Sequence, residues 1–294
     1  MPGSGRGSLA ATHRAVPYAL GVFTGLDHVF FAVPDLDAAA EALESGLGLR
    51  VGPGGRHEAW GTVNRLVWFG DAYLELVAVE DQGRAAASWF GQAVLEALAS
   101  SLADGPSSSS ASGGPSSASG GFVGFVVASD DLATDVASLG WEGPGFGGLV
   151  AGSRDRPDGR TVRWRTARPP GAESHRPLAF AIEHDPAAAE WTPAERSARA
   201  GEVHPLGGPV RLVRLELAVP TLPIVIDRLL RWFDLRFRPS LSGGGARDAE
   251  VGGQTVRLRR LAPGLPAATV VLRSPGATEE RMLDLAGCRF LVSA

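Results

Sequence analysis

The chain has no lysine, and all 28 of its basic residues are arginines. They form no basic tract, and 32 acidic residues bring the net charge to -4. Nucleic acid is therefore not an expected partner. The missing lysines read as coding bias towards GC-rich codons rather than as function. Cysteine is almost absent as well. A single Cys288 excludes an intrachain disulfide and any thiolate metal cluster, and it fits a reducing cytoplasm. Long apolar runs are also missing. The stretch Val16 to Phe23 is too short to span a membrane and has no small-residue cleavage site before Asp27, so residues 1–24 are expected to form a flexible tail and no membrane partner is expected. What remains is a globular composition, 44% hydrophobic and 20% charged over 294 residues, long enough for one large or two modest domains.

Punctuation divides the chain. Residues 101–121 are almost wholly Ser, Gly, Ala and Pro, a composition that cannot bury enough apolar surface to order itself and is expected to be a disordered linker. Ahead of it, Trp89, Phe90, Val94, Leu95 and Leu98 recur at helical spacing, so a helix closes the first module. Residues 186–209 read as a connecting segment, in which Thr192-Pro193-Ala194-Glu195 has the form of a capping box with proline at the first helical position.

The parts between these junctions repeat. Leu26 to Leu36 reads LDHVFFAVPDL and Leu212 to Leu222 reads LVRLELAVPTL, identical at five of eleven positions. A looser copy begins at Phe122. Each copy predicts a strand, a helix and three strands. The helices are expected at 36–47, 131–139 and 222–233. In the first copy the strands fall near Arg50 and at 64–69 and 72–79, with Gly70-Asp71 as the hairpin turn. In the second they are 147–152, 161–166 and 178–184, and in the third 236–239, 254–260 and 268–273. The fold class is therefore α+β, built from repeated βαβββ units.

Two polar residues stand out. His28 lies on the first strand, and alternation sets Leu26, His28, Phe30 and Ala32 on one face. Glu75 lies on the strand Ala72 to Val79, sharing a face with Tyr73 and Val77. In strands this apolar, an imidazole and a carboxylate need a partner, a metal or a polar cavity.

A repeated βαβββ unit with His on its first strand and Glu on its last resembles the vicinal oxygen chelate superfamily. More narrowly, Gly54-Gly55-Arg56-His57-Glu58-Ala59-Trp60-Gly61-Thr62-Val63-Asn64 followed by Tyr73-Leu74-Glu75-Leu76 resembles the glyoxalase-like domain family, which stands with glyoxalases, bleomycin resistance proteins and extradiol dioxygenases. The likeness covers residues 25–185 well and 210–275 loosely. It implies two units paired into a cup-shaped mixed sheet, with a third related unit at 210–294, and a divalent ion (Zn, Mn, Fe or Ni) in the cup. Carried over, the ligands are His28, Glu75 and Glu183, with Glu183 at the position matching Glu75. Gly124 occupies the place of a second histidine, so three ligands would leave an open site. His184 is expected on the opposite face of its strand unless that strand bulges.

Further candidates surround this site. His57 and Glu183 are expected to move protons, and Trp60, Asn64, Tyr73, Arg163 and Trp164 to contact substrate. Along Thr161 to Arg165 either Trp164 lines the cup or Arg163 and Arg165 do, and inward arginines would favour a carboxylate or phosphate substrate. Outward arginines would instead leave Glu183 an ion-pair partner across the sheet. The third unit carries Arg214 where the first has His28, so it cannot repeat the metal site. Its unpaired half-cup is expected to be covered by the same unit of a second chain, giving a homodimer. Two functions follow: a divalent-metal-dependent enzyme of isomerase, lyase or dioxygenase type acting on a small molecule, or a metal-free protein that sequesters a small molecule such as an antibiotic, with Trp60, Tyr73 and Trp164 enclosing it.

Overall fold

The computed structural model describes residues 21–70, 72–103, 120–156 and 158–294. Most of the expected tail, the centre of the Ser/Gly linker and Asp71 of the expected hairpin turn lie outside the described residues.

In chain order the first copy comprises β1 (Gly25–Ala32), α1 (Leu36–Leu47), β2 (Gly52–His57), β3 (Thr62–Phe69) and β4 (Ala72–Val79). Asp35 caps α1 by accepting from the backbone N–H groups of Asp37 and Ala38, and Gly48 ends it at φ 67, the left-handed conformation that glycine adopts without steric cost. Helices α2 (Gln82–Ala87) and α3 (Trp89–Ala103) follow. The second copy is β5 (Gly121–Ala128), α4 (Leu132–Ser138), β6 (Val150–Asp155), β7 (Thr161–Ala167) and β8 (Leu178–His184). These eight strands make one mixed sheet in the order β2-β3-β4-β1-β5-β8-β7-β6. At its centre β1 and β5 run antiparallel, each flanked by a parallel partner, β4 or β8.

After α5 (Pro193–Ala200), capped by Thr192 as expected, come β9 (Arg211–Val219), α6 (Leu222–Phe233), β10 (Arg238–Pro239), β11 (Arg247–Val251), β12 (Gln254–Arg260), β13 (Ala268–Arg273), β14 (Arg281–Leu285) and β15 (Cys288–Ser293). They form a second sheet, β10-β11-β12-β9-β13-β15-β14. Here the expected strand roles change. The parallel neighbour of β9 is β12, so β12 is the last strand of the third copy. Strand β13 pairs antiparallel on the other side of β9 and parallel with β15, repeating the relation of β5 to β1 and β8. It thus opens a fourth copy in which a loop stands where the helix would be. The half-cup expected to be open is completed by the same chain, which removes the structural argument for a second chain at that place.

The helix-bearing faces of the two sheets pack against each other in one core. Val29, Phe31 and Leu74 of the first sheet join Leu215, Val256 and Phe290 of the second, all buried, and the Phe31 and Phe290 rings lie 5.0 Å apart. Removing such side chains from water supplies about 1.5–3 kcal/mol each. The concave faces therefore point away from each other. In the first sheet α3 lies within the concavity, where Phe90, Ala93 and Val94 pack on Phe30, Val126 and Phe180 and fill one end of the cup.

Gly124 is fixed by this packing. A Cβ there would sit 2.1 Å from the backbone oxygen of Leu178, and parallel strands cannot separate to admit it. Gly124→Ala is expected to cost about 3 kcal/mol of stability, the upper end of what overpacking costs. A urea midpoint unchanged from the natural chain would contradict this.

Candidate active site

The site begins with an irregularity in β1. The pairing of β1 with β5 shifts register between Leu26 and His28, so Asp27 is an extra residue in the ladder. Strict alternation placed Leu26 on His28's face, but the bulge returns Leu26 to the helix-side core. Asp27 and His28 both reach the concave side. Asp27 is buried, with 1% of its surface exposed. One carboxylate oxygen lies 2.5 Å from Nδ1 of His28 and the other 3.0 Å from Nε2 of His184. Burial pushes the Asp27 pKa up, but the two imidazoles outweigh it and hold the group well below the ordinary carboxylate range.

A carboxylate only accepts hydrogen bonds, so both imidazoles donate to Asp27. In neutral His28 the other nitrogen, Nε2, is then an acceptor facing the cavity. It lies 3.6 Å from Oε2 of Glu75, and Tyr73 stacks on the ring at 4.4 Å and 18°. On the far side of Glu75, Asn64 donates from Nδ2 to Oε1 at 2.7 Å, and Nε2 of His57 is 3.9 Å from the same oxygen. Asn64 is oriented in turn by the Gly55 N–H, which donates to Oδ1 at 2.6 Å. Gly54 permits this approach, because a Cβ there would lie 2.1 Å from that oxygen. The glycines of the family-like motif thus have a physical task, which is to bring a backbone donor onto Asn64.

His57 makes its other contact with Thr62 Oγ1 at 3.1 Å. Burial lowers the His57 pKa, Glu75 partly opposes this, and the positive charge of Arg154 adds to the lowering. His184 is likewise lowered by burial against the opposing pull of Asp27. The Tyr73 phenol is driven well above its usual value by burial and by the charges of Asp27 and Glu75, so it remains protonated.

These shifts give a sign for acid sensitivity. Both histidine pKa values are lower in the folded chain than in the unfolded one. The unfolded state therefore takes up protons first, once the pH falls below about 6.5. Stability is expected to decline from that point, by up to about 1.4 kcal/mol per pH unit for each group. Urea unfolding between pH 7.5 and 5 measures it, and stability that is flat down to pH 4.5 would contradict it.

The second half of the cup differs from expectation. The Val33 N–H donates to the Val77 carbonyl, and the Ser129 N–H to the Ile182 carbonyl. Val77 and Ile182 therefore correspond, and two residues back Glu75 corresponds to Phe180 rather than to Glu183. Phe180 stacks on Phe30. Glu183 lies on the opposite face of β8, where it accepts from the Leu132 N–H at the start of α4 and pairs with Arg165 at 2.6 Å. His184, expected to face outward, is the residue that faces the cup. The placement of Glu183 as ligand and proton carrier is corrected by this register. The position matching His28 is Gly124, which has no room for a side chain. The four places from which the resemblance draws a metal site are thus His28, Glu75, Gly124 and Phe180. Among the described residues, no three His, Cys, Asp or Glu side chains are grouped so as to hold a metal ion. The donor set does not fit the ion that the resemblance implies.

Trp164, not Arg163 or Arg165, lines the cup. Arg163 is directed to the outside, 4.0 Å from Asp185. Trp60, Asn64 and Tyr73 all line the cleft with Trp68, Phe90 and Trp191, around a narrow cavity of about 40 Å³. The cleft also receives three groups that the sequence did not single out, namely Arg154, Glu190 and Trp191. The only local signal of Glu190 and Trp191 was the charged and aromatic content of a segment read as a connector, and Arg154 lies on β6 beyond the strand expected at 147–152.

A paired βαβββ cup, with titratable groups on one half of its floor and aromatic walls, defines a protein of glyoxalase fold. Residues 26–233 match the model of the glyoxalase-like domain, and the chain belongs to that family. Among solved structures, a hypothetical protein from Staphylococcus aureus aligns with a TM-score of 0.66 at 15% identity, covering 91% of this chain and 98% of that one. Methylmalonyl-CoA epimerase from Mycobacterium tuberculosis aligns at 19% identity and a TM-score of 0.34, covering 57% of this chain and 92% of that one. No curated protein matches the sequence. No helix among the described residues is long and apolar enough to cross a membrane.

Proposed function

We propose that this chain is a small-molecule enzyme that moves a proton in the cup of its first sheet by acid–base chemistry carried by its own side chains. One observation supports this above the rest: the Asp27–His28–Glu75 relay stands beneath a cleft walled by aromatic rings, with Nε2 of His28 and Oε2 of Glu75 3.6 Å apart. Two proton-carrying groups, each held by a partner of its own, are what removal and return of a proton require. Glu75, oriented by Asn64, takes a proton from a carbon beside a substrate carbonyl. Glu75 then passes that proton to the free Nε2 of His28, 3.6 Å away, whose Nδ1–H stays on Asp27; the imidazolium so formed returns it to the carbon, and neutral His57 is placed to donate to the oxygen on which charge develops. The reaction class is isomerisation, epimerisation or lyase-type elimination.

The aromatic walls support a second reading, a protein that binds a small molecule without transforming it. One experiment separates the two. Compounds with a carbon acid beside a carbonyl, including 2-oxo acids and α-hydroxy ketones, are incubated with the full chain in deuterium oxide and followed by NMR, with and without chelator. Protein-dependent deuterium incorporation that survives chelation is the expected result. Exchange that appears only on adding a divalent metal would return the site to metal chemistry, and retention of a compound without exchange would favour the binding reading.

A further inference from the structure

The segment joining the two sheets crosses the cup. Ala189 and Trp191 are buried against Leu66 and Tyr73 of the first copy and Val162 of the second, and Trp191 stacks on His184 at 3.5 Å and 10°. Between them Glu190 turns its side chain down to the cleft, where it is one of the lining residues. Its backbone has φ 70, a left-handed conformation that is uncommon for a residue other than glycine and clusters at functional sites.

The Glu190 carboxylate is surrounded by cations. Arg154 reaches one oxygen at 2.6 Å and Arg156 lies 3.4 Å from the other. Arg156 is shared with Asp158 at 3.3 Å, and Arg199 donates to the Glu190 carbonyl while lying over the rings of Trp68 and Trp191. Arg154 and Glu190 are each 8% exposed. Arg154 lines the same cleft as His28, His57 and Glu75.

A buried arginine beside an acid–base pair is an anion subsite, because its fork of N–H donors matches a carboxylate. Here a carboxylate of the chain already fills it, carried on a strap with no regular structure between His184 and Pro193 and held in a strained conformation. We infer that Glu190 stands in for a carboxylate of the substrate, so that ligands of this site are small carboxylates with an apolar or aromatic body, and the strap gives up Arg154 when one binds. This rests on the proposal that the cup is a reaction site, and it adds the substrate class and a gate.

The test uses phenylacetate and its uncharged analogue 2-phenylethanol, titrated against the full chain by tryptophan fluorescence. The wild-type chain is expected to bind phenylacetate weakly, since Glu190 competes for Arg154. Glu190→Gly, which vacates the subsite and suits the local φ, is expected to bind it at least tenfold tighter, with 2-phenylethanol unchanged. Adding Arg154→Gln should abolish the gain. Glu190→Gln, which keeps the volume and removes the charge, answers the same question if the glycine variant does not fold. Equal phenylacetate affinity in wild type and the Glu190 variants, or a gain that survives Arg154→Gln, would overturn the inference. The two readings fail separately: carboxylate binding through Arg154 without any proton exchange keeps the ligand class and the gate and removes the enzyme reading, and exchange without a Glu190 effect does the reverse.

Discussion

Glu75→Gln is expected to lower deuterium exchange by about 10³-fold, within the range that loss of a positioned acid–base group produces, while stability stays within about 1 kcal/mol of the natural chain. Glutamine fills the same volume. Its carbonyl oxygen can still accept from Asn64, now bonded to Oε1 of Glu75 at 2.7 Å, and its amide can face the acceptor Nε2 of His28, so no buried group is left without a partner. What disappears is the capacity to take a proton. Exchange rates and urea midpoints measured on the same preparations check this. A variant that still exchanges near the wild-type rate would remove Glu75 from the chemistry.

Asp27→Asn should damage both stability and chemistry. The carboxylate accepts from His28 and His184 at once. An asparagine can accept from only one of them, and its amide then faces the N–H of the other, which must change tautomer or turn away. Losing charge-assisted hydrogen bonds in a buried site costs about 2–3 kcal/mol. With His28 released from its tautomer, exchange is expected to fall by about 10²–10⁴-fold. Nitrogen chemical shifts of His28 report the tautomer directly, and an unchanged tautomer would contradict the argument. The acid limb gives a second reading of the same group. Because Asp27 is depressed in the folded chain, its stabilisation is complete above the ordinary carboxylate range and is lost as the pH falls towards the folded value. That low-pH component should vanish in Asp27→Asn, whereas the decline that begins near pH 6.5 from His57 and His184 should persist.

How far the site could be read in advance differs from strand to strand. His28 and Glu75 were legible because an imidazole and a carboxylate stand out in strands otherwise short and apolar, and alternation from His28 to Phe30 and from Tyr73 to Val77 set their face. Asn64 and His57 were legible through the glycines beside them. Glu183 was misplaced by a single residue: both Glu183 and His184 are compatible with a strand ending at 184, and only the hydrogen-bond register with β5 and β7 decides which one faces inward. Asp27 was hidden for a related reason, because a bulge is a property of the pair of strands and leaves no mark in one of them. The fourth copy escaped notice because its helix is absent, and a strand without the helix that follows it has no periodicity change to announce it.

By itself the sequence determined the α+β class, the repeated strand-helix-strand order, the family resemblance and the polar pair on the first and fourth strands, since these depend on local propensity and on side chains alternating along one strand. Tertiary structure alone decided that two sheets share one core, that Phe180 and Gly124 take the places where ligands were expected, that Asp27 joins His28 to His184, and that Glu190 comes down on Arg154. Each of these depends on register between strands or on contacts between segments far apart in the chain, and such contacts are selected by the packing of the whole molecule rather than by any stretch of it.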